Sequence, residues 1–249
     1  MDLGLAAKVA IVTGASRGLG RAAATALAAE GVNVLAAARS TDALAQLADA
    51  NPERIAAVEV DLRDRERVAA LPQRALERFG RLDIVINNAG IAPATPFADQ
   101  DWQAWDDVLA VNVTAPAVLA HAAGAIFKDQ GSGKIINIAS TSGLRGKPLL
   151  AAYSASKGAL VRFTEALAAE WAPLGIQVNA IAPGAFVTDA QRAVTSDEEL
   201  LARRIRKIPA RRMGDPDEFG AMVAFLASPQ SDFVSGATFV IDGGEVGKL

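Results

Sequence analysis

Two side chains, Tyr153 and Lys157, stand four residues apart in an alanine-rich stretch, and this spacing could support proton-transfer chemistry. If Ala151–Trp171 is a helix, residues four apart lie on one face, so the phenol and the ammonium point into the same space. A free phenol titrates near pH ~10, and a nearby cation favours its phenolate form. We therefore predict that Tyr153 is a general acid/base and that Lys157 lowers its pKa. The alternative is that both lie on a solvated helix face.

A serine upstream of this pair could complete the site. The short apolar run that begins at Lys134 ends in Ser140. At the carboxyl end of a strand, this hydroxyl could donate a hydrogen bond to a substrate oxygen. Ser140, Tyr153 and Lys157 then form one candidate catalytic site.

The scaffold for these residues is predicted from apolar runs that alternate with alanine-rich or amphipathic stretches. Strands are predicted at 9–13, 32–37, 55–60, 84–87, 134–140, 176–181 and 238–241. The alternation indicates an α/β fold: a doubly wound Rossmann-type domain with a parallel sheet of about seven strands and helices on both faces. The strands are apolar almost throughout, as expected where both faces of a sheet are covered.

Composition limits the classes of protein that this chain could be. Its 249 residues are 51% hydrophobic, and no repeat or linker divides them, so we predict a single domain over 1–249. With 28 acidic against 25 basic residues and no long basic run, neither a nucleic-acid nor a membrane partner is expected. The absence of cysteine and the single histidine, His121, argue against a metal site. The apolar amino-terminal run reads as a first strand and not as a signal peptide, so a cytoplasmic location is expected.

A glycine-rich turn, Thr13-Gly-Ala-Ser-Arg-Gly-Leu-Gly20, lies between the first predicted strand and an alanine-rich helix. Glycine at position 14 permits a tight turn. Glycines at 18 and 20 let the backbone approach a pyrophosphate at the helix amino terminus, where free N–H groups favour anions. The spacing differs from the G-x-G-x-x-G fingerprint, but its place between a strand and a helix predicts a dinucleotide site.

The end of the second predicted strand indicates which dinucleotide binds. An NAD site usually has an acidic residue about 20 residues beyond the glycines, whereas a cation suits the 2′-phosphate of NADP. Here Ala38 precedes Arg39, and Arg17 already lies in the glycine turn. NADP is therefore predicted, with NAD possible. Asp61, after the third strand, would reach the adenine edge or cap the next helix.

Taken with Asn87-Asn-Ala-Gly90, these motifs resemble those of the short-chain dehydrogenase/reductase family, and the resemblance covers essentially the whole chain. It also includes Asn112 within Val-Asn-Val-Thr, the spacing from Ser140 to Tyr153, Pro183-Gly-Ala-Phe-Val-Thr188 and Phe239-Val-Ile-Asp-Gly-Gly244.

The resemblance implies hydride transfer between a nicotinamide cofactor and a secondary alcohol or ketone. Its catalytic residues would be Asn112, Ser140, Tyr153 and Lys157, with Lys157 also holding the nicotinamide ribose and Asn112 maintaining a water-linked proton relay. The predicted cofactor-binding residues are Gly14, Ser16, Arg17, Gly18, Leu19, Gly20, Arg39, Asp61, Leu62, Asn88, Ala89, Gly90, Tyr153, Lys157, Pro183, Gly184, Phe186 and Thr188. A homotetramer is also implied, and the small residues Ala159, Ala166 and Ala169 would permit close helix pairing.

The substrate is predicted from cations near the site. Arg145 follows Ser140 closely, and the basic segment 188–212 is a candidate substrate lid with arginines at 192, 203, 204 and 206 and a lysine at 207. Such cations could bind a carboxylate. The alternative is that they form a solvated cationic face on a helical insertion.

Among members of the family, the overall pattern is similar to gluconate and sugar-acid dehydrogenases. Reductases of 3-ketoacyl groups on an acyl carrier are the alternative, weakened because Pro173 and Leu174, not a basic residue, precede Gly175. A non-catalytic NADP(H)-binding sensor is the alternative of another class. Such proteins usually lose the tyrosine or the lysine, and both are present here.

Overall fold

The structure is a computed structural model that describes residues 2–247; residues 1, 248 and 249 of the predicted domain lie outside this part. The strands are β1 Val9–Thr13, β2 Asn33–Ala38, β3 Ile55–Glu59, β4 Ile84–Asn87, β5 Gly133–Ile138, β6 Ile176–Pro183 and β7 Thr238–Ile241. The helices are α1 Gly18–Ala29, α2 Thr41–Ala50, α3 Arg65–Ala69, α4 Leu71–Phe79, α5 Trp102–Leu109, α6 Ala115–Gln130, α7 Thr141–Leu144, α8 Ala151–Trp171, α9 Arg192–Thr195, α10 Glu198–Arg206 and α11 Pro216–Ala227.

The seven strands form one parallel sheet in the order β3-β2-β1-β4-β5-β6-β7. The chain therefore builds outward from β1 in one direction and then resumes beside β1 with β4. This reversal opens a crevice at the carboxyl ends of β1 and β4, where open α/β sheets bind ligands. The predicted doubly wound sheet and all seven strands are confirmed.

Two predicted carboxyl-terminal strand ends differ from the structure by two residues, and the others by at most one. β5 ends at Ile138, two residues earlier than expected, because Ser140 caps α7 instead of extending the strand: its Oγ accepts a hydrogen bond from Ser142 N at 3.0 Å. β6 continues to Pro183, since β7 pairs with it up to Ile241.

The sheet is covered on both faces, as its apolar strands predict. In β1, Ala10 and Val12 face the layer that contains α1 and α11, whereas Val9 and Ile11 face the layer that contains α4, α6 and α8. All four are completely buried. The glycine turn and α8 are thus attached to a rigid core.

A ladder of buried polar side chains joins two central strands to α8. Asn87 Nδ2 donates to Asn137 Oδ1 at 2.9 Å, and Asn137 Nδ2 donates to Thr164 Oγ1, also at 2.9 Å. Thr164 in turn donates to the carbonyl of Leu160. Because each buried polar group has a partner, the ladder fixes the height of α8 along the sheet without an unsatisfied donor.

The helical stretch Trp102–Gln130 joins α5 and α6 through one π-helical turn, Ala110–Thr114. It is long and apolar enough to cross a membrane by length and composition alone. Its carboxyl-terminal half, however, packs against the sheet with Leu119, Ala123 and Phe127 fully buried. The stretch therefore reads as a core helix of the fold.

The candidate lid, 188–212, forms a 3₁₀ turn followed by α9 and α10, and neither helix has a buried residue. Two residues of the segment, buried Ile208 and partly buried Leu201, pack with Ala185 and Met213 in a small cluster. The segment is thus a helical insertion on the rim of the crevice, attached at few points.

Candidate functional site

A cleft of about 1300 Å³ opens at the carboxyl ends of the central strands. Every residue predicted to bind the cofactor lines it, and so does Ser140. Asn112 lies behind its wall, fully buried. The predicted nucleotide and catalytic motifs therefore meet in one crevice at the point where the strand order reverses.

The glycine turn at one end of the cleft is closely packed. Gly14 has φ +66°, a left-handed conformation that favours glycine, and a Cβ there would lie 2.8 Å from Ala89 Cα. A Cβ on Gly20 would lie 2.2 Å from the carbonyl oxygen of Gly14. Gly20 is thus required to close the turn on itself, whereas the sequence had suggested that it lets the backbone approach the pyrophosphate.

Asn88, which follows β4, and Thr13, which ends β1, brace this turn. Asn88 Nδ2 donates to the carbonyls of Thr13 at 2.9 Å and Gly14 at 3.3 Å. Thr13 Oγ1 accepts from the backbone N–H groups of Asn88 and Ala89. The Asn88 side-chain amide is therefore used to hold the glycine turn. Contacts with the cofactor would come from other atoms of this residue. Thr13 is a positioning residue that the sequence analysis did not identify.

The amino terminus of α1 is suited to bind an anion. Arg17 precedes the helix, makes no side-chain cap, and no acidic residue stands in the first turn. The free N–H groups of this twelve-residue helix open onto the cleft beside Ser16 and Gly18. They would hold the phosphates of a dinucleotide, because unsatisfied N–H groups and the helix dipole favour negative charge.

The rim at the end of β2 and β3 carries the residues expected to select the cofactor. Ala38 leaves the end of β2 without a carboxylate, and exposed Arg39 lines the cleft beside it. Asp61 accepts from Arg63 through both side chain and backbone, and this hydrogen bonding lowers the pKa of Asp61 to about 2. Asp61 is not a helix cap; Asp64 caps α3.

Tyr153 lines the cleft and is partly exposed, and its hydroxyl interacts with the side chain of Ser140. Burial raises the pKa of the phenol, and the Ser140 hydrogen bond opposes this only in part. The net shift is thus opposite to the direction predicted from the Lys157 charge. The reason is that desolvation of the phenolate outweighs the hydrogen bond that stabilises it.

Lys157 is fully buried one helical turn further along α8. Its Nζ donates to the carbonyl of Ile138 at 2.6 Å and lies 5.8 Å from the centroid of the Tyr153 ring. Burial lowers the pKa of Lys157 to about 8. The amine can therefore donate and accept a proton close to neutral pH. The sequence analysis had treated it as a permanent positive charge.

Asn112 forms a clamp in the π-helical turn. Its Oδ1 accepts from Ile91 N at 2.9 Å, while its Nδ2 donates to Ile91 O and to Ser156 Oγ, both at 3.0 Å. A Cβ on Gly90 would lie 3.3 Å from Lys157 Nζ and 3.4 Å from Asn112 Oδ1, so both groups surround this glycine. Ser156, which was not predicted, connects the clamp to the carbonyl of Tyr153.

The structure does not support the predicted role of Arg145. It is exposed and does not line the cleft, because α7 lasts only four residues and the backbone then leaves the site in an extended conformation at Arg145. Lys147, two residues further, lines the cleft instead.

The cations of the predicted lid are mostly paired on its outer surface. Arg192 bonds to Asp189 at 2.7 Å and Arg203 to Glu199 at 3.4 Å. Of the basic residues in segment 188–212, only Arg204 lines the cleft. The solvated cationic face weighed as the alternative therefore describes most of them.

Several further cleft-lining residues were not predicted from the sequence. They are Arg21, Ser40, Ala43, Gln46, Val60, Ile91, Ala92, Pro93, Val111, Ile138, Ala139, Thr141, Ser142, Leu150, Ala185, Asp189 and Gln191, besides Ala38, Lys147 and Arg204. Most lie next to a predicted motif and could be found by extending it. Within residues 2–247, no group of three His, Cys, Asp or Glu side chains could hold a metal ion.

Comparison with known proteins agrees with this geometry. The model of a family described as enoyl-(acyl carrier protein) reductase matches residues 14–245. A 3-oxoacyl-[acyl-carrier-protein] reductase from Synechocystis sp. is 38% identical over 97% of this chain and 98% of its own length. A 2-dehydro-3-deoxy-D-gluconate 5-dehydrogenase from Escherichia coli is 38% identical over 96% of each chain.

A solved structure from Beutenbergia cavernae, proposed to be an NAD(P)-dependent gluconate 5-dehydrogenase and holding NADP at low occupancy, superposes with a TM-score of 0.93. It is 38% identical and covers 100% of both chains. The residues matched by the family model include Gly14, Gly18 and Gly20 of the glycine turn and Ser140, Tyr153 and Lys157. The chain therefore belongs to the short-chain dehydrogenase/reductase family of NAD(P)-dependent oxidoreductases.

Proposed function

We propose that this protein uses NADP(H) to interconvert a ketone and a secondary alcohol on a small hydroxylated acid, such as a keto-gluconate. The observation that carries the proposal is the meeting of Ser140, Tyr153 and Lys157 in the same cleft as the uncapped amino terminus of α1. One end of the cleft can hold phosphates, and the other can move a proton.

When bound, the nicotinamide cofactor would supply or accept the hydride. The protein supplies the proton. In reduction, Tyr153 donates its hydroxyl proton to the substrate oxygen while the Ser140 hydroxyl stabilises the developing negative charge. The raised pKa of Tyr153 keeps the phenol protonated at neutral pH. Because ketone reduction consumes a proton and alcohol oxidation releases one, oxidation should gain as pH rises.

Lys157 would return a proton to Tyr153 after each turnover. A buried amine with a pKa of about 8 is a suitable donor near neutral pH, because it is protonated but holds its proton weakly. Asn112 and Ser156 keep this part of α8 in place, and we propose that a water beside Asn112 extends the relay. The hydrogen bonds of Asn112 and Ser156 and the burial of Lys157 support these proposed roles.

The preference for NADP over NAD is supported by two arginines. Arg17 and Arg39 line the same end of the cleft, and Ala38 offers no carboxylate to repel a 2′-phosphate. The solved relative that holds NADP provides a second argument.

A second candidate substrate is a 3-ketoacyl thioester, because one relative at 38% identity is a 3-oxoacyl-[acyl-carrier-protein] reductase. Exposed Pro173 and Leu174 offer no charge for an acidic carrier protein at the amino end of β6. We therefore rank the sugar-acid substrate first.

We further propose a homotetramer in which α8 pairs across a two-fold axis. Its residues Ala159, Ala166 and Ala169 are exposed in the single chain and small enough for close helix approach, and β7 exposes Val240 as part of a second contact. Sedimentation tests the assembly: a mass near 25.7 kDa at micromolar concentration would contradict it.

Segment 188–212 would act as a mobile lid over bound ligands. Its helices bury no residue of their own, so their order should depend on contacts with cofactor and substrate. Hydrogen exchange should slow in this segment when both ligands are added, with little change in β1.

The decisive experiment measures NADPH oxidation with a panel of keto-sugar acids, ketoacyl thioesters and simple diketones. The proposal expects turnover, with the highest kcat/KM among the keto-sugar acids. Binding of NADPH without turnover of any ketone would instead indicate a non-catalytic sensor.

A further inference from the structure

Lys147 is a partly buried cation at the substrate end of the cleft. Among the described residues its ammonium makes one hydrogen bond, a long contact of 3.4 Å to Thr141 Oγ1, and no carboxylate lies within ion-pair distance. Desolvation lowers the pKa of Lys147. A cation that has lost water without gaining a partner is expected where a ligand supplies the missing charge.

The backbone connections of Lys147 place it beside the reacting groups. Thr141, which its ammonium contacts, directly follows Ser140. The backbone N–H of Lys147 donates to Ser154 Oγ at 3.3 Å, and Ser154 directly follows Tyr153. The ammonium is therefore tied to the residue after Ser140, and the backbone of Lys147 to the residue after Tyr153.

The loop that carries Lys147 is also strained. Leu149 has φ +66°, a conformation that a bulky residue rarely adopts. A hydrogen bond from Thr95 N to Leu149 O at 2.9 Å ties the loop to the segment that follows β4. Such strain is typical of segments that position a functional group.

Charged groups of both signs lie near Lys147. The groups that influence it are Glu245, Arg204, Asp242 and Lys207, so the set contains three cations and two carboxylates. Arg204 is already bound to Glu245 through two hydrogen bonds of 2.5 and 2.7 Å. Of the two cations in this set that line the cleft, Arg204 is already paired and Lys147 is the one with no carboxylate partner among the described residues.

We infer that Lys147, assisted by the Thr141 hydroxyl, binds the carboxylate of the substrate and sets specificity for hydroxylated keto acids. This inference rests on the proposed function and names the residue that recognises the substrate carboxylate. It also distinguishes the two substrate candidates, because a 3-ketoacyl thioester has no carboxylate near its reacting ketone.

The test compares Lys147→Met with Arg145→Met, which removes a cation two residues away on the exposed side. The probes are 5-keto-D-gluconate and L-sorbose, which has a hydroxymethyl group in place of the carboxylate. Lys147→Met should raise KM for 5-keto-D-gluconate about ten- to a hundredfold, as expected for a lost charge-assisted hydrogen bond, with kcat and the sorbose parameters nearly unchanged. Lys147→Arg should retain much of the acid preference, and Arg145→Met should leave it intact.

A binding measurement separates failure of the inference from failure of the proposed function. Calorimetry would follow D-gluconate binding to the NADP complex of the wild-type protein and of each variant. Weaker binding to Lys147→Met alone supports the inference even if no ketone is reduced. Equal affinity for wild type and Lys147→Met, or a wild type that does not bind gluconate while reducing neutral ketones, would overturn it and leave the oxidoreductase proposal standing.

Discussion

The two ends of the cleft are built in different ways. At the nucleotide end, the backbone of the glycine turn packs so closely that a single added Cβ at Gly20 would overlap Gly14 and Asn88. At the substrate end, the loop after α7 and the helices α9 and α10 lie on the surface, and a Cβ at Gly146 would meet nothing within 4 Å. Ligand binding is therefore determined by shape at the cofactor end and by a few charged side chains at the substrate end.

The largest effect is expected at the junction between the two ends. Tyr153→Phe keeps the buried ring but removes the proton donor, so kcat should fall by ~10²–10⁴-fold or more. The dissociation constant for NADPH should change little, as measured by fluorescence titration. A Phe variant with near-normal turnover would remove Tyr153 from the mechanism.

At the nucleotide end, Gly20→Ala should destabilise the protein by about 1–3 kcal/mol or more and weaken NADP binding, because the methyl group overlaps backbone. Gly146→Ala is the matched control at the substrate end and should leave both properties within about 0.5 kcal/mol. Denaturant unfolding and cofactor titration measure the pair. Equal effects of the two substitutions would show that the cofactor end is no more closely packed than the substrate end.

Charge reversal at the nucleotide rim should alter cofactor choice. Arg39→Asp should weaken NADP binding about ten- to a hundredfold and leave NAD binding equal or tighter, since the 2′-phosphate loses a charge-assisted contact. Arg78→Asp, on an exposed position of α4 outside the cleft, serves as the control. Equal affinity of the unmutated protein for NADP and NAD would show that Arg39 points elsewhere.

The buried amine between the two ends should make stability depend on pH. Burial lowers the pKa of Lys157 to about 8, whereas an unfolded lysine titrates near ~10.4. Between these pH values the unfolded chain binds more protons, so the free energy of unfolding rises with pH.

Lys157→Met should remove this rise, which is at most about 1.4 kcal/mol per pH unit for one group. Urea unfolding from pH 7 to pH 10 gives the two slopes, with exposed Lys128→Met as the control. Parallel curves for wild type and Lys157→Met would mean that the amine stays protonated in the folded protein.

The smallest effect is expected on the outer face of the substrate end. Arg203 pairs with Glu199 at 3.4 Å, and both side chains are well exposed, so Arg203→Ala should cost about 0.5 kcal/mol or less. KM for an acidic substrate should stay within about twofold of the wild-type value. A larger rise in KM would indicate that this helix face turns inward over the ligand.

Most features of the sheet and of the cofactor end could be predicted from the sequence. The strands were predicted to within about two residues, because burial on both faces leaves uninterrupted apolar runs. The glycine motif was found because close backbone contact requires glycine. The role of Asn88 as a brace was missed, since a motif does not reveal where an amide points.

The substrate end was predicted less well. Arg145 was proposed because it follows Ser140 closely in the sequence, and Lys147 was not considered. The four-residue length of α7 decides which residue enters the cleft. The direction of the Tyr153 pKa shift was missed for a related reason. It depends on burial, which spacing alone does not report.

The π-helical turn Ala110–Thr114 has a consequence for insertions and deletions. Because such a turn contains one residue more than an α-helical turn, removing one residue there would leave a continuous α-helix with α6 still facing the sheet. Removing a residue elsewhere in α5 or α6 would rotate everything beyond it by about 100°. A one-residue deletion in the turn should therefore remove the Asn112 hydrogen bonds while the protein still folds. A one-residue deletion elsewhere in α5 or α6 should instead disrupt the packing of the core.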